Sequence, residues 1–288
     1  MFNKLFKQQQ IICYMVLESL VGPRKAEKNK KWLFVYGLVY AIIGAFVSLW
    51  VFKSQASMVM VFLTVLAAFP LFYKTLKYEE KKDLNKSLTE KVLIKEHGKA
   101  LVYLMYLFLG FVVAYTLIFL VFPEAASKNL FSSQITTLNA INSNITGNFS
   151  TIDVFFKILS NNLRVLFFCI FFAFFYGAGA LFVLAWNASV IGAAAGSFVN
   201  NRISEFGGYF IAVPLSLLRY MTHGVFEIAA YFVVGLAGGI ISVAVINHKT
   251  TSEQFKHIVI DSLDLVLLGI GMLVFAALVE VYFTPLFF

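Results

Sequence analysis

The chain has 288 residues, is 60% hydrophobic and 13% charged, contains 33 phenylalanines and carries a net charge of +8. A mean hydropathy of +0.83 excludes an ordinary soluble domain, in which about a quarter of residues are charged, and the continuous apolar runs exclude a β-barrel, whose strands alternate in polarity. The positive charge is not a nucleic-acid footprint, because the basic residues cluster just outside the apolar runs, where they orient helices in a bilayer. The expected fold is therefore all-α: a polytopic transmembrane helix bundle of about six spanning helices plus one re-entrant or half-helix segment. The lipid bilayer is its expected partner. Neither nucleic acid nor a cofactor is expected.

Residues 1–31 read as a cytoplasmic amphipathic and basic segment. Leu5, Phe6, Ile11, Ile12, Met15 and Leu20 stand among Lys and Gln, which suits a helix on the membrane surface and equally a helix packed on the cytoplasmic side of the protein. Gly22-Pro23 ends it. No small-residue cleavage site follows, so Trp32 onward is expected to act as an uncleaved anchor. Cys13 and Cys169 match no metal spacing, and Cys169 reads as a buried, inert thiol.

Residues 32–122 hold the first three transmembrane helices, at about 32–52, 57–73 and 100–122. Between the last two lies the segment 74–99, with eight lysines and five acids. Its apolar residues recur at near-helical spacing, so it reads as an exposed amphipathic hairpin or helix. Residues 123–160 are rich in Asn, Ser and Thr and read as a loop. They contain two glycosylation acceptor triplets, which make Asn144 and Asn148 the candidate glycan carriers.

Residues 161–288 are apolar again. A fourth span is expected at about 163–186. The stretch 188–199 has an apolar part too short to cross the ~30 Å hydrocarbon core, so it reads as the half-helix. Pieces at 206–221 and 225–246 follow, then a final span at about 258–282. The N-terminal segment holds seven Lys or Arg, the 74–99 segment eight, and the 123–160 segment only Lys128 and Lys157. By the positive-inside rule the N-terminus and the 74–99 segment are cytoplasmic and the 123–160 segment external. Arg202, Lys249 and Lys256 fall inside if 188–199 does not cross; if it crosses, the parity flips and the C-terminus is inside.

Ionisable residues inside spanning helices are costly and usually face the bundle interior. Arg219, His223 and Glu227 lie at i, i+4 and i+8 on one helical stripe, where neighbours can touch. Asn161, Asn162 and Arg164 open the fourth span and Asn187 closes it. Together these seven form a candidate intramembrane polar cluster, in which Glu227 is expected to bond Asn161, Asn162 or Asn187. Gly177, Gly179, Gly192, Gly196, Gly235 and Gly239 supply close-packing surfaces. The last four form GxxxG patterns, which serve helix packing within the chain or self-association.

As a set, these residues resemble a known family. Asn161-Asn162-Leu163-Arg164, then Tyr176-Gly177-Ala178-Gly179, Asn187-Ala188 with Gly192, and His223-Gly224-x-x-Glu227 with Gly235 and Gly239 look like the stage II sporulation protein M family, over roughly 155–250. The resemblance makes 161–288 the family-like transmembrane core. It also implies a role as a membrane component that recruits and localises cell-wall-degrading enzymes in spore-forming bacteria. Many relatives occur in archaea and in bacteria that do not sporulate. The sequon-bearing segment and the longer N-terminal part depart from the sporulation form.

No soluble catalytic motif appears: no HExxH, P-loop or GxSxG. His223 and Glu227 lack the third protein ligand that a catalytic zinc needs. The expected function is a non-enzymatic membrane scaffold or assembly factor of the cell envelope, with membrane or envelope proteins as partners. The alternative is a transporter, channel or lipid-handling protein with a polar intramembrane site around His223 and Glu227.

Overall fold

A computed structural model describes residues 29–83, 90–145, 151–176 and 180–287. The amphipathic N-terminal segment and Asn148 lie outside these residues. The long helices are α1 (Lys30–Val51), α2 (Ala56–Asp83), α3 (Glu90–Val121), α6 (Thr151–Tyr176), α7 (Ala180–Phe206), α8 (Tyr209–Asn247) and α9 (Glu253–Leu278). Two short helices, α4 (Glu124–Leu130) and α5 (Ser132–Ile145), stand between α3 and α6. The chain passes from α9 through a π-helical turn, Val279–Phe283, into α10 (Thr284–Phe287). Seven stretches are long and apolar enough to cross a membrane.

The protein is thus an all-α polytopic bundle, with one candidate span more than the sequence suggests and no half-helix among the described residues. Residues 188–199 are the middle of α7, a continuous 27-residue helix. The apolar run read as a single span over 163–186 belongs to two helices, the first ending at Tyr176 and the second starting at Ala180. Hydropathy does not register a helix boundary inside an apolar run, so the first quarter of α7 reads as part of its predecessor and the remaining apolar part reads as too short. The opposite error occurred at 206–221 and 225–246, which form the single 39-residue α8. The charged residues at 219–227 lower hydropathy there without interrupting the backbone.

The 123–160 segment is not a loop in its described part. It folds as α4, α5 and the start of α6, and it is pinned to the bundle by a buried polar chain. Ser57 Oγ on α2 donates to Gln134 Oε1 on α5 at 2.7 Å. Gln134 Nε2 donates in turn to Ser189 Oγ on α7 at 3.0 Å. The Asn129 side-chain amide also caps the Lys53 carbonyl at 2.8 Å. Gln134 is fully buried, and burial of its amide is tolerable because both ends are bonded. In α2 and α3, helix continues into the lysine-rich 74–99 segment on both sides of residues 84–89.

α8 is the central helix. Every residue from Ile228 to Ile240 is buried, the pattern of a helix that is apolar all round. It packs against α2, α6, α7 and α9, while α3 joins α1 to α7. The phenylalanines of α6 at 167, 168, 171, 174 and 175 point outward, where a bilayer would cover them. Contacts between helices order the two ends. Gly196 meets Phe119, and Gly239 meets Leu76. The α1–α2 turn, α4, α5, the α7–α8 turn and the C-terminus therefore share one end. The start of α1, the lysine-rich α2–α3 connection and the α8–α9 turn share the other.

The α7–α8 turn needs glycine, because Gly207 and Gly208 have φ of +70° and +141°, a region that side chains rarely enter. The tightest helix contact is between α1 and α3. A Cβ at Gly110 would strike the Phe34 carbonyl, and one at Gly37 would strike the Leu107 carbonyl. The sequence reading did not single out this pair, because the two glycines lie on different helices and form no local motif.

Candidate functional site

The stripe predicted on α8 exists and extends one turn further than expected. Arg219, His223, Glu227 and Tyr231 follow one another at every fourth residue of a continuous helix, so all four share a face. Glu227 accepts a short hydrogen bond from Asn162 Nδ2 on α6. Asn162 is buried. Asn161, its neighbour, is exposed and approaches only the Asn162 side-chain oxygen, at 3.5 Å. Of the three asparagines proposed as partners for Glu227, Asn162 is the one that meets it.

The other predicted residues are dispersed. Asn187 Nδ2 donates to the Val183 carbonyl of its own helix at 2.7 Å, which satisfies it locally. Arg164 is exposed on α6. The Arg219 guanidinium lies 5.1 Å from the centre of the Phe198 ring on α7, a cation–π geometry. Gly192 and Gly196 are buried against Tyr115 and Phe119 of α3, and Gly235 and Gly239 against Ala180 of α7 and Leu76 of α2. The sequence offers these faces for self-association too; the structure fills them with helices of the same chain. Gly177 and Gly179 lie outside the described residues. Asn144 falls in α5, but its side chain is not among those described.

Two residues of the site were not foreseen in the sequence: Glu280 and Thr284. His223 Nδ1 lies 3.3 Å from Thr284 Oγ1, and His223 Nε2 lies 3.9 Å from Glu280 Oε1. Glu280 sits on the π-helical turn Val279–Phe283. Such turns are rare and occur often at functional sites. Glu280 is one of three acids in the expected final span, with Asp261 and Asp264. Nothing local in the sequence sets it apart from the other two.

The site is therefore a polar node joining α6, α8 and the C-terminal turn. Glu227 and Glu280 lie within electrostatic range of each other. Tyr231 is 2% exposed, and its hydroxyl is within range of Glu227, Glu280 and Cys169. Among the described residues, no three His, Cys, Asp or Glu side chains gather as a metal site. The node can hold helices together.

Comparison with known proteins agrees with this architecture. The family model described as stage II sporulation protein M matches residues 37–285. An uncharacterized protein of Methanocaldococcus jannaschii is 31% identical over 138 residues, covering 45% of this chain and 70% of the relative. No solved structure matches. The family match contains five of the seven candidate spans whole and most of the first and last, together with the node and the π-helical turn, and the chain belongs to the stage II sporulation protein M family of membrane proteins.

Proposed function

We propose that this protein is a non-enzymatic membrane scaffold that presents the α4–α5 layer to membrane or envelope proteins. The observation that carries this reading is the buried chain Ser57–Gln134–Ser189, which ties that layer to two spanning helices. A surface held in one orientation loses less conformational entropy when a partner binds. Exposed Thr136 and Asn139 stand on its outer side. Backbone-close packing at Gly37 and Gly110 further stiffens the bundle behind it.

The orientation we propose follows the charges. The end bearing the lysine-rich α2–α3 connection is cytoplasmic, and the α4–α5 layer faces outward. In this arrangement Arg202 is external, because α7 crosses, and the C-terminus is external, because α8 and α9 each cross once more.

The test compares wild type with Gln134→Ala. Purified from native membranes, wild type should retain a partner protein in fixed ratio, and Gln134→Ala should lose it while remaining folded. Retention of nothing by wild type, together with solute flux through the protein alone in liposomes, would favour the transporter reading instead.

A further inference from the structure

We propose that the outward face of α6 around Ser160, Asn161 and Arg164 docks a transmembrane helix of a partner protein, one that carries an aspartate or glutamate at mid-depth. This adds an intramembrane surface to the α4–α5 layer and does not depend on that layer, so a failed Gln134→Ala test leaves it standing.

The first observation is the depth of Arg164. Hydropathy alone starts the fourth span at about 163 and leaves Arg164 at its edge. The helix end at Tyr176 changes this. α6 has 26 residues, and Arg164 stands at its middle, about 18 Å of helix from Tyr176 and about 20 Å from Thr151 at 1.5 Å per residue.

Contacts between helices give the same depth independently. Asn162 bonds Glu227 of α8, and a Cβ at Gly238 of α8 would meet Ala173 of α6 in the same register. A Cβ at Gly235 would meet Ala180, the first residue of α7. In the antiparallel pair α7–α8, Glu227 is therefore level with Ala188. Gly192 and Gly196 of α7 meet Tyr115 and Phe119 of α3, and this register sets Ala188 level with Phe111. Arg164, two residues past Asn162, is thus level with Leu109, the centre of the apolar stretch Gly98–Val121.

The second observation is what surrounds Arg164. It is exposed and makes no hydrogen bond, ion pair or ring contact among the described residues. Ser160 and Asn161 are exposed one turn away on the same face. α6 is the least buried of the seven candidate spans. Past Arg164 its outward face turns apolar, with Phe167, Phe168 and Phe171. The middle of α1 shows what lipid alone selects: its outward residues are Val39, Ile42, Ile43 and Phe46.

The occupant follows from the charge. A cation at mid-depth is costly in hydrocarbon and is as a rule paired. The arginine side chain is much shorter than the ~18 Å of helix to the nearer end, so it does not snorkel to headgroups. A second copy of the chain does not supply the missing charge. In a two-fold contact through this face Arg164 meets its own copy, and the one acid of α6, Asp153, lies about 16 Å away along the helix. A carboxylate on another helix fits, because the guanidinium fork takes it by two parallel bonds. The Asn161 Nδ2 approaches its neighbour Asn162 at 3.5 Å, which leaves its amide oxygen open to a donor on the incoming helix. Ser160 is small and permits close approach.

The test reconstitutes the full chain in phosphatidylcholine liposomes with synthetic polyleucine transmembrane peptides. The peptides carry Asp, Leu or Lys at the central position, which stays at mid-depth in either orientation. Energy transfer between labelled protein and labelled peptide reads association. Wild type should bind the Asp peptide at a concentration about tenfold below the Leu peptide, with no preference for Lys. Arg164→Leu should lose this preference, Arg164→Lys should keep part of it, and Asn161→Ala should weaken it. Arg164→Asp should prefer the Lys peptide. Should Arg164→Leu not fold, the retention in Arg164→Lys and the reversal in Arg164→Asp carry the comparison. If lipid headgroups satisfy Arg164, wild type binds the three peptides alike and the proposal falls. If a second copy covers the face, Ser160→Cys cross-links two copies and the Asp peptide gains no preference, which also overturns it. A preference for Asp that survives in Arg164→Leu would do the same.

Discussion

Glu227 on α8 accepts a hydrogen bond from the Asn162 amide on α6, across 65 residues of sequence. The two helices are far apart in the chain, and each contributes one half of a buried polar pair. Neither half is stable alone in an apolar bundle. Removing Asn162 leaves a carboxyl group with a lost donor, and that loss costs about 1–3 kcal/mol.

Asn162→Ala should therefore lower the unfolding midpoint, while Asn161→Ala and Asn187→Ala should change it little. Asn161 is exposed, and Asn187 bonds only to its own helix. Thermal unfolding of the three variants side by side checks this. Equal effects at all three positions would show that Asn162 has no special place.

Glu227→Gln should stay folded, with a midpoint close to wild type, because a glutamine oxygen still accepts from Asn162. A large loss of stability in Glu227→Gln at every pH would mean that the carboxylate charge itself holds the fold.

Gln134→Ala should release α5 from the bundle. The change removes two buried side-chain bonds and leaves Ser57 and Ser189 with one acceptor or donor fewer, a cost of about 2 kcal/mol. Limited proteolysis within 124–145 should accelerate several-fold, with the spanning helices still protected. Unchanged cleavage would show that apolar contacts alone dock the layer.

Gly110→Leu should be far more damaging than Gly271→Ala. A side chain at 110 meets the backbone of α1, which cannot turn aside, whereas a Cβ at 271 meets nothing within 4 Å. Overpacking of this kind costs about 3 kcal/mol or more, and Gly271→Ala gains up to about 1 kcal/mol from helix propensity. Yield of monodisperse protein and its unfolding midpoint read both.

Cysteines placed at Asn139 and Asn201 should be labelled together by a membrane-impermeant reagent on intact cells, and one at Lys249 should not. All three positions are exposed. Asn139 and Asn201 share an end of the bundle because α7 crosses. Opposite labelling of Asn139 and Asn201 would contradict that crossing.

The class of the protein was legible in the sequence because burial in lipid is written locally. A spanning helix needs about 20 apolar residues in a row, and such runs are visible one at a time. The stripe of Arg219, His223 and Glu227 was legible for the same reason, since helical periodicity places them on one face before any neighbour is known. The residues opposite that face were not. Asn162 is one candidate among three, and no sequence pattern points to Glu280 and Thr284, because nothing local links a C-terminal turn to the middle of α8. The boundary between α6 and α7 was also hidden. Lipid solvates apolar residues on both sides of a helix end alike, so hydropathy carries no mark of it. Which polar groups meet, and where one long helix ends and the next begins, were decided only when seven apolar helices packed by shape, with glycines allowing close approach and buried donors finding acceptors on other helices.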